Sequence, residues 1–106
     1  MGIFDLFRRP DIRQGLESFK SSPGAVLLDV RTRQEYSEGR IPGSTNLPLQ
    51  TLSQIDTLVP DKDTALYVYC LSGARSSQAA RMLRSMGYSQ VLDIGGISGY
   101  TGTLEQ

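Results

Sequence analysis

Cys70 is the chain's one cysteine, and Arg75 follows it with Leu71, Ser72, Gly73 and Ala74 between them and Ser76 next. The nucleophile of cysteine chemistry is the thiolate. It is favoured beside a guanidinium, at a helix N-terminus or inside a concave run of backbone N–H groups. The sequence around Cys70 predicts all three. Leu66, Tyr67, Val68 and Tyr69 are aromatic and β-branched enough for a buried strand. Downstream, Ala79, Met82, Leu83 and Met86 recur at helical spacing up to Gly87, which suits a helix stop. Cys70 therefore ends a strand, opens a Gly-containing turn and precedes a helix, the place where open α/β sheets bind ligands. A cysteine serving only as a small buried hydrophobe needs none of these neighbours. The pattern reads as a reactive cysteine with an anion-binding loop made of Leu71, Ser72, Gly73, Ala74, Arg75 and Ser76.

The rest of the inventory narrows the chemistry. Histidine is absent, which removes Ser-His and Cys-His nucleophile–base pairs and leaves no Cys/His cluster for zinc. No metal and no cofactor is expected, and a single cysteine excludes an internal disulfide. Eleven basic residues balance eleven acidic ones, so no global field recruits nucleic acid or an anionic membrane surface. At 106 residues, 39% hydrophobic and 21% charged, the chain reads as one folded domain with a modest core. No apolar run approaches the roughly 20 residues that span a bilayer. With no secretory signal pattern at residues 1–10, a cytoplasmic location is expected.

The elements that must hold Cys70 can be read in order. Residues 1–10 form a separate N-terminal segment in which Ile3, Phe4, Leu6 and Phe7 precede Arg8 and Arg9, a short apolar stretch laid on the domain or a docking element. Residues 11–106 form the domain. Asp11 caps a helix running to Lys20, with Ile12, Leu16 and Phe19 on one face. Residues 25–30 are a near-continuous apolar run, as in a parallel strand covered on both faces. The carboxylate of Asp29 interrupts that run and needs a partner such as Arg31. Thr32 caps a short helix over residues 33–38, stopped by Gly39. A strand follows at residues 44–47, then one amphipathic helix at residues 49–58 with Leu49, Leu52, Ile55 and Leu58 or Val59 inward. A last strand over residues 91–94 leads into Gly95 and Gly96, and residues 97–106 read as irregular. Strands alternating with helices predict an α/β fold, a mostly parallel sheet with helices on both faces. Arg75 would sit unfavourably at a helix N-terminus without a carboxylate or bound anion beside it. Asp29, Glu35 and substrate are the candidates.

Three stretches together resemble single-domain rhodaneses, a sulfurtransferase family, over nearly the whole chain. LLDVRTRQEYSEGRIPGSTNLPL (residues 27–49) is similar to the family's first motif, YCLSGARS (residues 69–76) to its active-site loop, and GGISGY (residues 95–100) to its closing motif. Three motifs in order and spacing are far more specific than one. The resemblance implies a three-layer rhodanese-like fold with a four- or five-stranded sheet and the active loop at the strand ends. It implies a Cys70 persulfide whose outer sulfur is cradled by the main-chain amides of residues 71–76. Asp29, Arg31 and Glu35 match positions that pin the surrounding loops. Arg40 stands where the family often has histidine, adding a cation near the rim, and Tyr100 where it often has tryptophan.

The implied activity is transfer of sulfane sulfur from thiosulfate or a similar donor to a thiophilic acceptor: cyanide in an assay, a thiol or a protein cysteine in the cell. Thiolate attack on an outer sulfur needs no general base, so the missing histidines are no obstacle. A monomer or weak dimer is expected. Two other readings stay open. A Cys-based phosphatase or arsenate reductase places five residues between Cys and Arg, whereas four intervene here, a tighter ring suited to one sulfur atom. A non-catalytic docking or sulfur-carrier module would use the same fold to engage a partner.

Overall fold

The computed structural model describes residues 10–106. Of the N-terminal segment read at residues 1–10, as an apolar stretch laid on the domain or a docking element, residues 1–9 lie outside them. Helix α1 (Ile12–Lys20) starts where expected, with the Asp11 side chain accepting from the Arg13 N–H at its N-terminus. Strand β1 (Val26–Asp29) follows, then helix α2 (Arg33–Glu38) and strand β2 (Ser44–Asn46). A 3-10 segment (Leu49–Gln54) and helix α3 (Ile55–Leu58) lead to strand β3 (Leu66–Cys70). Helix α4 (Ala74–Ser85), strand β4 (Val91–Gly96) and a 3-10 turn (Ile97–Gly99) complete the order.

The strands form one parallel sheet of four in the order β2-β1-β3-β4. Side chains alternate across it, as the period of two in a strand requires. Leu28, Leu66, Val68 and Cys70 face one layer with Leu52, Ile55, Ala79, Ala80 and Leu83. Leu27, Tyr67 and Tyr69 face the other with Ile12, Leu16 and Ile97. β3 is buried along its whole length. A parallel strand covered on both faces reads as continuous apolar sequence for that reason.

Two features of this frame aim residues at the end of β3. β3 and β4 pair Val68 with Asp93 but Tyr69 with Gly95, so Ile94 is an extra residue in β4. Such a bulge bends the strand and re-aims its side chains. The chain also leaves β3 through Gly73 at φ +107, the left-handed region where a side chain is strained. Helix α4 begins on the next residue.

Four expectations need correction. The single helix over residues 49–58 is broken: Thr51 (φ −116, ψ 20) is not helical, and only Ile55–Leu58 are α. Leu52 and Ile55, three apart, are fully buried, while Leu58 is exposed and Val59 takes the inward place. A spacing of three serves a 3-10 turn as well as an α-helix. On α4, Met82 is exposed and Ala80 is buried in its stead. Ala74, Arg75 and Ser76 belong to the first turn of α4 and not to a loop. The tail is not wholly irregular, since Ile97–Gly99 make a 3-10 turn and Arg40 pairs antiparallel with Glu105.

Candidate active site

Cys70 is the last residue of β3, and its side chain lies on the α4 face of the sheet, 1% exposed. The Gly73 N–H donates to its Sγ at 3.0 Å. Ser76, also fully buried, brings its Oγ to 3.5 Å from the sulfur. Among the described residues these are the polar partners of the thiol. Leu71, Ser72 and Ala74 point outward and are exposed. Gly73 and Ser76 thus meet the resting sulfur.

The loop is braced from behind. The Leu71 carbonyl accepts from the Ser98 N–H at 3.1 Å. At Gly96, a Cβ would stand 2.7 Å from the Cα of Ser72, closer than such atoms pack. Gly96, the last residue of β4, is therefore part of the loop's seat, because only a residue without a side chain lets the backbones approach this closely.

Arg75 finds its carboxylate in Glu35. Its two terminal nitrogens donate to the two Glu35 oxygens at 2.7 and 2.9 Å, a bidentate pair. Glu35 is aimed by the start of α2: it accepts from the Thr32 N–H and hydroxyl, while its own N–H donates to Thr32 Oγ1, a capping box. The Arg75 hydrogen bonds, with those from Thr32, hold the Glu35 carboxyl down at about 2. The same contact raises Arg75. A guanidinium at the N-terminus of α4 is in this way neutralised within the protein, as the helix dipole requires.

Asp29 and Arg31 form a second, buried pair. Arg31 donates to both Asp29 oxygens, at 2.7 Å at the closest, and to the Gly39 carbonyl at 2.7 Å. Burial works against the Arg31 charge, but the Asp29 hydrogen bonds and charge outweigh it and leave its pKa raised. This pair ties the end of β1 to the end of α2, and so fixes the helix that carries Glu35. Arg40 is elsewhere engaged: its guanidinium lies 4.7 Å from the centre of the Tyr36 ring. Clefts flank the loop. One, about 390 Å³, is lined by Arg31, Glu35, Glu38, Gly39, Leu71, Ile97 and Leu104. Another, about 320 Å³, is lined by Ser72, Gly73, Ser77, Asp93, Gly95, Gly96 and Pro10.

One neighbour of the site was not singled out from the sequence. Asp93 Oδ1 accepts from Ser76 Oγ at 2.7 Å and from the Gly95 N–H at 3.0 Å. The signal was present: an acid inside the apolar run of β4 demands a partner just as Asp29 does in β1.

Residues 13–103 match the Rhodanese-like domain family. The chain belongs to that family. It is 39% identical over 71 residues to the thiosulfate sulfurtransferase PspE of Escherichia coli, covering 66% of this chain and 68% of that protein. It is 38% identical over 89 residues to an adenylyltransferase and sulfurtransferase of Ogataea parapolymorpha, covering 83% of this chain but only 23% of that protein. The structure of a rhodanese with anions from E. coli superposes with a TM-score of 0.72 at 34% identity, over 77% of this chain and 98% of the other. This rhodanese-like chain has no helix, among the described residues, long and apolar enough to cross a membrane. Nor do those residues contain a group of side chains suited to a metal ion.

Proposed function

We propose that this protein is a sulfurtransferase working through a Cys70 persulfide. The Cys70 thiolate attacks the outer sulfur of thiosulfate or a similar sulfane donor. A bond forms from Sγ to that sulfur as the donor's own sulfur–sulfur bond breaks, and its electron pair leaves with sulfite. The outer sulfur, now anionic, is received by the amides of residues 71–76. A thiophilic acceptor, either cyanide or a thiolate, then attacks it and returns the electron pair to Sγ. The unit that acts is residues 11–106, with residues 1–10 a separate segment, acting in the cytoplasm as a monomer or weak dimer. The acceptor thiols include protein cysteines as well as small thiols.

The observation that carries this reading is the 3.0 Å contact of the Gly73 N–H with Sγ in a turn only four residues long before Arg75. It supports a seat for an anionic sulfur at the N-terminus of α4. The engagement of Arg75 by Glu35 argues against a phosphatase, since that guanidinium is occupied and not free to clamp a tetrahedral oxyanion. Parallel assays test the choice. Thiosulfate and cyanide should yield thiocyanate in a Cys70-dependent reaction, while an aryl phosphate is left unhydrolysed. Phosphate release without thiocyanate would reverse the assignment.

A further inference from the structure

The Asp93 carboxylate and the Ser76 hydroxyl stand in line behind the thiol, and the Cys70 mechanism above, which uses only the Ser76 amide, gives neither a part. Ser76 has one hydroxyl proton and several acceptors around it: Asp93 Oδ1 at 2.7 Å, the Gly73 carbonyl at 3.1 Å and the Gly95 carbonyl at 3.4 Å. The short bond to a carboxylate is the strongest of these. With its proton committed to Asp93, Ser76 Oγ turns lone pairs toward Sγ at 3.5 Å and accepts from the thiol. We infer that Asp93 is a positioning residue that, by committing the Ser76 proton to itself, turns Ser76 into an acceptor for the Cys70 S–H and so favours the thiol, against the Gly73 N–H that favours the thiolate.

The other groups around Cys70 act in the opposite sense or are spent. The Gly73 N–H at the start of α4 favours the thiolate. Arg75 on α4 does so weakly, because Glu35 of α2 already neutralises it. Asp29 at the end of β1 is paired with Arg31. Asp93 of β4 directs one carboxylate oxygen at the Ser76 hydroxyl and the Gly95 N–H. The relay rests on the proposed function only in taking Cys70 as the reacting group. Its test reads thiol protonation, which is measurable whether or not thiosulfate is a donor.

The experiment is the rate of iodoacetamide alkylation of Cys70 against pH, in wild type, Asp93→Asn, Ser76→Ala and the double variant. Asn keeps an oxygen for Ser76 and for the Gly95 N–H but removes the charge. Asp93→Asn should lower the alkylation midpoint by about half a pH unit or more. It should shift the midpoint by much less when Ser76 is already Ala. A midpoint unmoved or raised by Asp93→Asn overturns the relay. An equal fall in both backgrounds overturns it too, since the charge would then act on sulfur directly. If Asp93→Asn does not fold, wild type labelled with ¹³C at aspartate carboxyls decides. The Asp93 signal should move with the Cys70 titration, as coupled sites do, and a flat signal through it refutes the coupling.

Discussion

Glu35 shows how much one side chain carries here. It accepts two bonds from Arg75 and two from Thr32, so it closes α2's first turn and neutralises α4's. Its carboxyl, ordinarily near 4.5, is held at about 2, with the Arg75 bonds the largest cause. A carboxyl depressed on folding adds stability that is complete above its unfolded value and fades as pH falls toward the folded one. Glu35→Ala should therefore lower unfolding free energy at neutral pH by about 1 kcal/mol, after allowance for solvent screening of a partly exposed pair. The difference from wild type should narrow between pH 4.5 and about 2, as measured by urea unfolding at stepped pH. A difference that stays constant over that window would mean that packing, not charge, is lost. Asp29 and Arg31 are a second such pair, and their mutual hydrogen bonds let a buried carboxylate sit in β1.

Elements explain why the loop keeps its shape. The turn after Cys70 is seated on the end of β4, where Gly96 leaves room for the backbone of Leu71 and Ser72. Gly96→Ala should push that turn outward, and a displacement of about 1 Å at a reacting centre costs on the order of a hundredfold in rate. Thiocyanate formation should fall at least about tenfold while the far-ultraviolet circular dichroism is unchanged; full activity would show that the seat is not needed. How much of this was legible follows from distance along the chain. Strands β1 and β3, the Asp11 and Thr32 caps and the strand-end place of Cys70 were readable, because each is written in residues within a few positions of one another. Glu35 as partner of Arg75 was one of three candidates, and only tertiary contact chose it. The break at Thr51 was hidden because Leu52 and Ile55 fit a 3-10 turn and an α-helix equally. The link from Asp93 to Ser76 spans 17 residues, too far for any local pattern in the sequence to record.

At the scale of the molecule, parallel pairing puts the carboxyl ends of β1 and β3 on one edge. The N-termini of α2 and α4 open at that same edge, each following the strand before it. One sulfur atom lies where those ends meet, with no second cysteine in the chain to resolve a persulfide as a disulfide. A sulfur delivered to Cys70 should stay there until an external acceptor removes it. The measurement that bears most directly on this is the intact mass of the protein after thiosulfate treatment and desalting, for wild type and Cys70→Ser. Wild type should gain the mass of one sulfur atom, lost again on adding cyanide, and Cys70→Ser should gain none. An unchanged wild-type mass, or an equal gain in the variant, would contradict persulfide chemistry at Cys70.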